Sequence, residues 1–359
     1  MSIHTYTLTD QRRLGRFAGA IVAHAQPEER LARQGRQITR TLPMNEGDTY
    51  VGRRFLPYGA LSTNFNTMNQ FFANGTGDRS AAVVTAHQVA DGQTPLPDSL
   101  TPMDMEVTIH EYACLYGFTN RTADLYEDDI PAQMKIQIGE RTTFVNEQIL
   151  YGYLKACTNQ YYGGTGTSIS TVNGAISLGM LRRITRNLSA NHARPVTKML
   201  GAGSGFNTAS VMAGWFVYVH SDAASDIRDL PNFIDAKDYA SGTPVPGEIG
   251  AVEEFRFIMH PDLPSRQDAG AAVGSTNLAS TSGSNIDVHQ FIVCAQDAWS
   301  QIALRGRNSV EATFLPVGQK TKADPFGQRG YAGAKWWKAV LIENNGWMAV
   351  GNIGVKNLS

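Results

Sequence analysis

The sequence predicts an α+β fold laid out in four successive sections: a polar N-terminal arm, an extended hairpin, a section built on one long helix, and a stretch of short strands and helices returning to a closing sheet. Three observations predict it. Residues 122–160 carry the strongest helical periodicity in the chain. Met105–His110 alternates with period two beside a Pro/Gly-rich tip at Asp91–Pro97. Near the C-terminus, the polar turn Asp324-Pro325-Phe326-Gly327-Gln328-Arg329-Gly330 runs directly into the apolar segment Tyr331–Val350.

Residues 1–60 read as the arm. Helices at Gln11–Ala25 and Glu28–Gln37 are possible, apolar content is low, and nine arginines face only Asp10, Glu28, Glu29, Glu46 and Asp48. Such an arm cannot bury itself and is expected to lie on a partner. Residues 61–117 form the hairpin region, with an outgoing strand at Ala81–Val89 and a return at Met105–His110. A lone hairpin is marginal in water, so this one is expected to lie across a neighbouring subunit.

Residues 118–193, with 330–359, form the helical section. Met134, Ile138, Val145, Ile149 and Tyr153 make an apolar stripe, Pro131 suits the first turn, and Lys135, Glu140, Arg141, Glu147 and Lys155 fall outside the stripe. A second helix over about 174–190 turns Met180 or Leu181, Ile184 and Leu188 inward and Arg182, Arg183 and Arg186 outward. Residues 194–329 read as strands at Trp215–His220, Glu253–Ile258 and Val288–Cys294, helices at Asp222–Leu230 and Asp297–Leu304, and a Gly/Ser/Ala/Thr-rich loop at Ala269–Asn285. Asn345-Gly346 reads as a two-residue hairpin turn.

Composition excludes several classes. The 359 residues are 42% apolar and 18% charged, with a net charge of −1, which gives no global pull toward nucleic acid or membrane. No run approaches the ~18 apolar residues of a membrane span. Met1–Asp10 is polar and unlike a signal peptide. Cys114, Cys157 and Cys294 have neither pairing nor metal spacing, as in a reduced cytoplasmic setting.

Candidate chemistry is sparse. Gly201-Ala202-Gly203-Ser204-Gly205 lacks the G-x-G-x-x-G spacing, and no G-x-x-x-x-G-K-[ST] occurs. His110-Glu111-Tyr112-Ala113-Cys114 lacks a second zinc-binding histidine and alternates like a strand. His220 reads as a lone structural histidine. Glu248, Glu253 and Glu254 read as a solvated or interface face, the last two on opposite sides of a strand. No catalytic, cofactor-binding or metal-ligating residue emerges. Charge segregation is plainer: residues 172–221 hold no acid and five bases, whereas residues 222–268 hold ten acids and four bases. Opposed patches suit head-to-tail contact between copies, or a basic face turned to nucleic acid.

Four blocks carry a family resemblance: Arg53-Arg54-Phe55-Leu56-Pro57-Tyr58-Gly59-Ala60-Leu61, Tyr116–Leu125, Gly247–Phe257 and Asp324–Trp337. In this order and spacing the chain resembles the major capsid proteins of N-four-like podophages, within the Hong Kong 97-like lineage. The resemblance implies a fold of N-terminal arm, extended hairpin loop (E-loop), peripheral domain with a long spine helix, and axial domain. It implies a non-enzymatic subunit forming hexamers and pentamers of an icosahedral virion shell around double-stranded DNA, assembled in the host cytoplasm. Expected partners are separate scaffolding, portal and decoration proteins, with no cofactor and no membrane. Arg53, Arg54, Asp91, Pro95 and Pro97 are the expected inter-subunit contacts, and Arg182, Arg183 and Arg186 the expected lumen- or DNA-facing residues. The alternatives are an encapsulin-like compartment of the same fold and, from another class, a soluble hydrolase or nucleotide-binding enzyme, for which the sequence offers no convergent polar groups.

Overall fold

A computed structural model describes residues 29–32, 38–45, 47–55, 84, 87–92, 94, 99–100, 102–125, 129–200, 208–239, 244–274, 276–304 and 310–358. The helix expected at Gln11–Ala25, the loop Gly201–Gly205, and Pro95 and Pro97 lie outside the described residues.

The elements run β1 (Ile38–Leu42), β2 (Thr49–Phe55), β3 (Pro102–Thr108), β4 (His110–Thr119), α1 (Asn120–Leu125), α2 (Ile130–Leu154), β5 (Gln160–Tyr162), α3 (Leu178–Ala190), β6 (Val196–Leu200) and β7 (Thr208–His220). They continue with α4 (Ala224–Arg228), β8 (Phe233–Asp235), β9 (Glu248–Val252), β10 (Phe255–His260), β11 (His289–Cys294), β12 (Trp299–Leu304), β13 (Glu311–Leu315), β14 (Arg329–Ile342) and β15 (Met348–Ile353). One sheet has the order β1-β12-β14-β13, with β4 also paired to β14. The larger sheet has the order β5-β15-β11-β7-β10-β9-β8, with β6 also on β7, and β2-β3 form a separate ribbon.

The spine of the molecule is α2, whose 25 residues reach about 37 Å at 1.5 Å each. Asp129 caps it by accepting from the Ala132 N–H, and Pro131 occupies the first turn. Its N-terminal half lays Met134 and Ile138 on Cys114, Phe118, Ala334 and Trp336 of the first sheet. Its C-terminal half lays Leu150, Tyr151 and Leu154 on Phe216, Tyr218, Ile258 and Ile292 of the larger sheet. The opposite face of that sheet is covered by α3 through Met180, Leu181, Ile184 and Leu188. One helix therefore serves two sheets, and its buried stripe shifts midway. Ile149 and Tyr153, expected inward, are half-buried, while Glu147, expected outside the stripe, is buried.

The Asp324–Val350 block closes the first sheet. Along Arg329–Lys338, β14 pairs antiparallel with β4, from Arg329↔Thr119 to Lys338↔His110, and its C-terminal part then pairs with β12. The pleat sends the adjacent tryptophans to opposite faces: Trp336 packs beneath α2, and Trp337 packs on the side of the β2-β3 ribbon. Gly327 turns with φ +66°, and Gly330 is tight because a Cβ there would overlap the Phe118 ring.

Several expectations give way to tertiary pairing. The outgoing strand of the hairpin is β2, not Ala81–Val89, and the described residues of that segment in regular structure, Val84 and His87, are helical. Asp297–Leu304 is not a helix: Trp299, Ser300 and Ile302 are buried in β12, whose backbone pairs with β1 on one side and β14 on the other. Asn345-Gly346 is no hairpin turn, since β14 and β15 belong to different sheets. A 3₁₀ turn joins them instead, capped by the Asn344 side chain on the Gly346 N–H. The two-residue hairpin turn is Glu253-Glu254, between β9 and β10, with Glu253 at φ +51°. Sheet membership also crosses the expected section boundaries. β15, from residues 330–359, lies in the larger sheet, whereas β12 and β13, from residues 194–329, pair with β14. The described parts of the arm are held by their own chain: β1 runs parallel to β12, and Leu31 is fully buried in the core.

Candidate assembly surface

The β2-β3 ribbon pairs seven residues on each strand, from Thr49↔Thr108 to Phe55↔Pro102. Alternation gives it two unlike faces. Tyr50, Met105 and Val107 pack on Trp337, Ala339 and Leu341 of β14. The outer face carries Val51 and Phe55, each more than half exposed, around a cross-strand pair of Arg53 and Asp104. The Arg53 guanidinium donates two bonds to the Asp104 carboxylate, at 2.7 and 2.9 Å, and holds that carboxyl below its ordinary pKa. Arg53 thus has its partner within the hairpin.

The ribbon is tied down at its root. Glu343, buried just past β14, accepts from Arg40 at 2.5 and 3.1 Å and from the Ser300 hydroxyl at 2.6 Å. Arg54 donates to the Glu343 backbone carbonyl at 3.2 Å. The bond to Glu343 raises the Arg40 pKa, whereas burial lowers that of Arg54 against the pull of the same carboxylate. Arg54 accordingly anchors the ribbon to the end of β14 in its own chain. Asp91 is exposed in the turn ahead of Gly92, which has φ +76°.

A second anchor holds the arm. Glu147 Oε2 accepts from the Leu31 N–H and lies 2.8 Å from His260 Nε2, and Oε1 accepts from the Ala32 N–H. His260 Nδ1 accepts from the Asp262 N–H, so the ring proton sits on Nε2 and is donated to Glu147. Sequence reasoning missed Glu147. The available signal was an acid three and four residues before Leu150 and Tyr151, in register with the second half of the stripe.

The charged segments sort themselves differently. Arg182, Arg183 and Arg186 are exposed on α3, and Arg182 is paired with Glu253 at 2.5 Å. Among the described residues, Arg183 and Arg186 form no ion pair. The three glutamates do not converge. Glu248 is buried against Arg256 at 2.6 Å and accepts from Tyr239, while Glu254 accepts from the Trp215 indole N–H. The Tyr239 hydroxyl is pushed up by burial and then by that bond. His220, read as solitary, stands beside Asp222 and His289. A further exposed strip lies on the edge strand β13, where Phe314 and Leu315 are open to solvent. No described helix is long and apolar enough to cross a membrane.

A scan against protein-family models finds no match. The architecture is nevertheless that of phage capsid subunits, the Hong Kong 97-like fold expected from the sequence. Over 100% of both chains it superposes on the capsid of Ralstonia phage GP4 with a TM-score of 0.63 at 10% identity. The capsid asymmetric unit of cyanophage Pam1 gives a TM-score of 0.58 at 13% identity, covering 99% of this chain and 100% of that one. In sequence, the chain is 24% identical over 266 residues to the major capsid protein of Pseudomonas phage KPP21. That alignment takes in 68% of this chain and 66% of the relative, just under two thirds of its length.

Proposed function

We propose that this chain is a major capsid protein, the non-enzymatic subunit of an icosahedral phage head shell around double-stranded DNA. The observation that carries the reading is the whole-length likeness to the capsid of Ralstonia phage GP4. The β2-β3 ribbon supports it, because its outer face leaves Val51 and Phe55 exposed beside the Arg53–Asp104 pair, and a neighbour covering that face would bury them. On this reading Val51 and Phe55, flanking the Arg53–Asp104 pair, rest on the adjacent copy, with Asp91 nearer the tip. The exposed strip on β13 meets another copy. Hexamers and pentamers are the natural closed sets. Arg183 and Arg186 are the better candidates for the packaged DNA, since Arg182 is engaged by Glu253. Scaffolding, portal and decoration proteins are the expected partners, assembly is in the host cytoplasm, and the Asp324–Trp337 block supports the N-four-like branch.

The test is negative-stain microscopy of the purified chain, expressed alone and together with its neighbouring head genes. Closed shells of uniform diameter are expected. A monodisperse monomer under both conditions overturns the reading.

A further inference from the structure

We infer that His220, Asp222 and His289 form a binding site for a divalent cation of the zinc class. His220 ends β7, Asp222 lies in the 3₁₀ turn that follows, and His289 begins the fully buried strand β11, which pairs antiparallel with β7. Two paired strands thus present both rings, with centroids 5.3 Å apart, to one carboxylate. His220 Nδ1 is 3.1 Å and His289 Nε2 is 4.0 Å from Asp222 Oδ2. One donor atom from each residue falls within 4.8 Å of the others. Tetrahedral zinc, with bonds of about 2.0–2.2 Å, sets its ligands roughly 3.3–3.6 Å apart, so small side-chain rotations bring these atoms to bonding distance.

His220 Nδ1 accepts from the Asp222 N–H at 3.2 Å and lies 3.1 Å from the Asp222 carboxylate, so a cation bound at this nitrogen takes over the lone pair that otherwise receives the N–H. His289 is nine-tenths buried, and its Nδ1 has no partner. Two imidazoles and one carboxylate select zinc-like ions over calcium or magnesium, which prefer all-oxygen sites. Asp222 is largely exposed, giving a hydrated ion a way in and leaving a fourth position for water.

The test strips the protein with chelator and titrates it with Zn²⁺ by calorimetry, with metal content measured after dialysis. One zinc per chain is expected. Asp222→Asn and His220→Gln, both at solvent-reachable side chains, should each weaken binding about 100-fold or more, at or above the loss seen for outer-shell ligand partners. Zinc should also raise the melting midpoint of the parent chain and leave that of Asp222→Asn unmoved. Absence of saturable binding, or equal affinity and stoichiometry in both variants, overturns the site. Neither readout depends on shell formation, so failure here is separate from failure of the capsid reading.

Discussion

Removing the Glu147 carboxylate should loosen the grip between the arm, the spine helix and the larger sheet. In Glu147→Ala, three donors lose their acceptor together: His260 Nε2–H and the Leu31 and Ala32 N–H groups. His260 is fully buried and Leu31 has no exposed surface, so water cannot replace the lost bonds without opening the core. At about 1–3 kcal/mol for each unsatisfied buried group, with partial relaxation, the net loss is about 3–5 kcal/mol. That is a large part of the ~5–15 kcal/mol typical of a folded domain. Glu147→Gln keeps one acceptor oxygen and should lose about half as much. The assay is urea unfolding of the unassembled chain followed by tryptophan fluorescence, with Glu106→Ala on the exposed ribbon face as control. Trypsin cleavage at Arg30 should quicken in parallel, because Leu31 is released. A loss below about 1 kcal/mol for Glu147→Ala, with unchanged cleavage, would show that the carboxylate does not hold the arm.

Other outcomes follow from the same contacts. Val51→Lys with Phe55→Glu should leave the chain's melting midpoint near that of the parent while abolishing closed shells in sedimentation and microscopy; intact shells would remove the ribbon from the assembly contact. Gly330→Ala drives a Cβ into the Phe118 ring and should cost about 1–3 kcal/mol in denaturant unfolding, unlike Gly139→Ala on α2, where no atom stands in the way and the backbone is helical. All three cysteines are free and buried. Burial pushes the Cys294 thiol up to about 12 and raises that of Cys157, so a thiol reagent at mildly alkaline pH should find none in the native chain and three after denaturation.

Helices were legible where a single surface decides the pattern. The inward positions of α3 face one sheet: sequence periodicity found Ile184 and Leu188 and offered Met180 or Leu181, and the fold buries both of the latter. On α2 the expected stripe holds at Met134 and Ile138 and, half-buried, at Val145 on the first sheet and Tyr153 on the second, but the fully buried positions of the C-terminal half are Leu150, Tyr151 and Leu154, because there the helix crosses to a second sheet. The hairpin's return strand was visible in the alternation of Met105, Val107 and Ile109. Its partner was not, since β2 sits far upstream and alternates polar residues with apolar ones on its exposed face. Arg53 and Arg54 were expected to contact a neighbouring subunit, and their partners within the chain, Asp104 and the Glu343 carbonyl, could not be named from spacing.

Local signals therefore carried what depends on residues within a turn or two: the Pro131 start, the α3 face, the Gly327 turn, and a long apolar strand after it. Tertiary structure alone decided which strands pair, and so whether Trp299–Leu304 is strand or helix and whether Asn345-Gly346 closes a hairpin. It also decided the polar partnerships, such as Glu147 with His260, which stand 113 residues apart. The physical reason is that a backbone's own preferences differ by fractions of a kilocalorie per residue, whereas satisfying buried donors and covering apolar faces is worth several. The chain yields its local conformation to whichever distant segment completes those contacts.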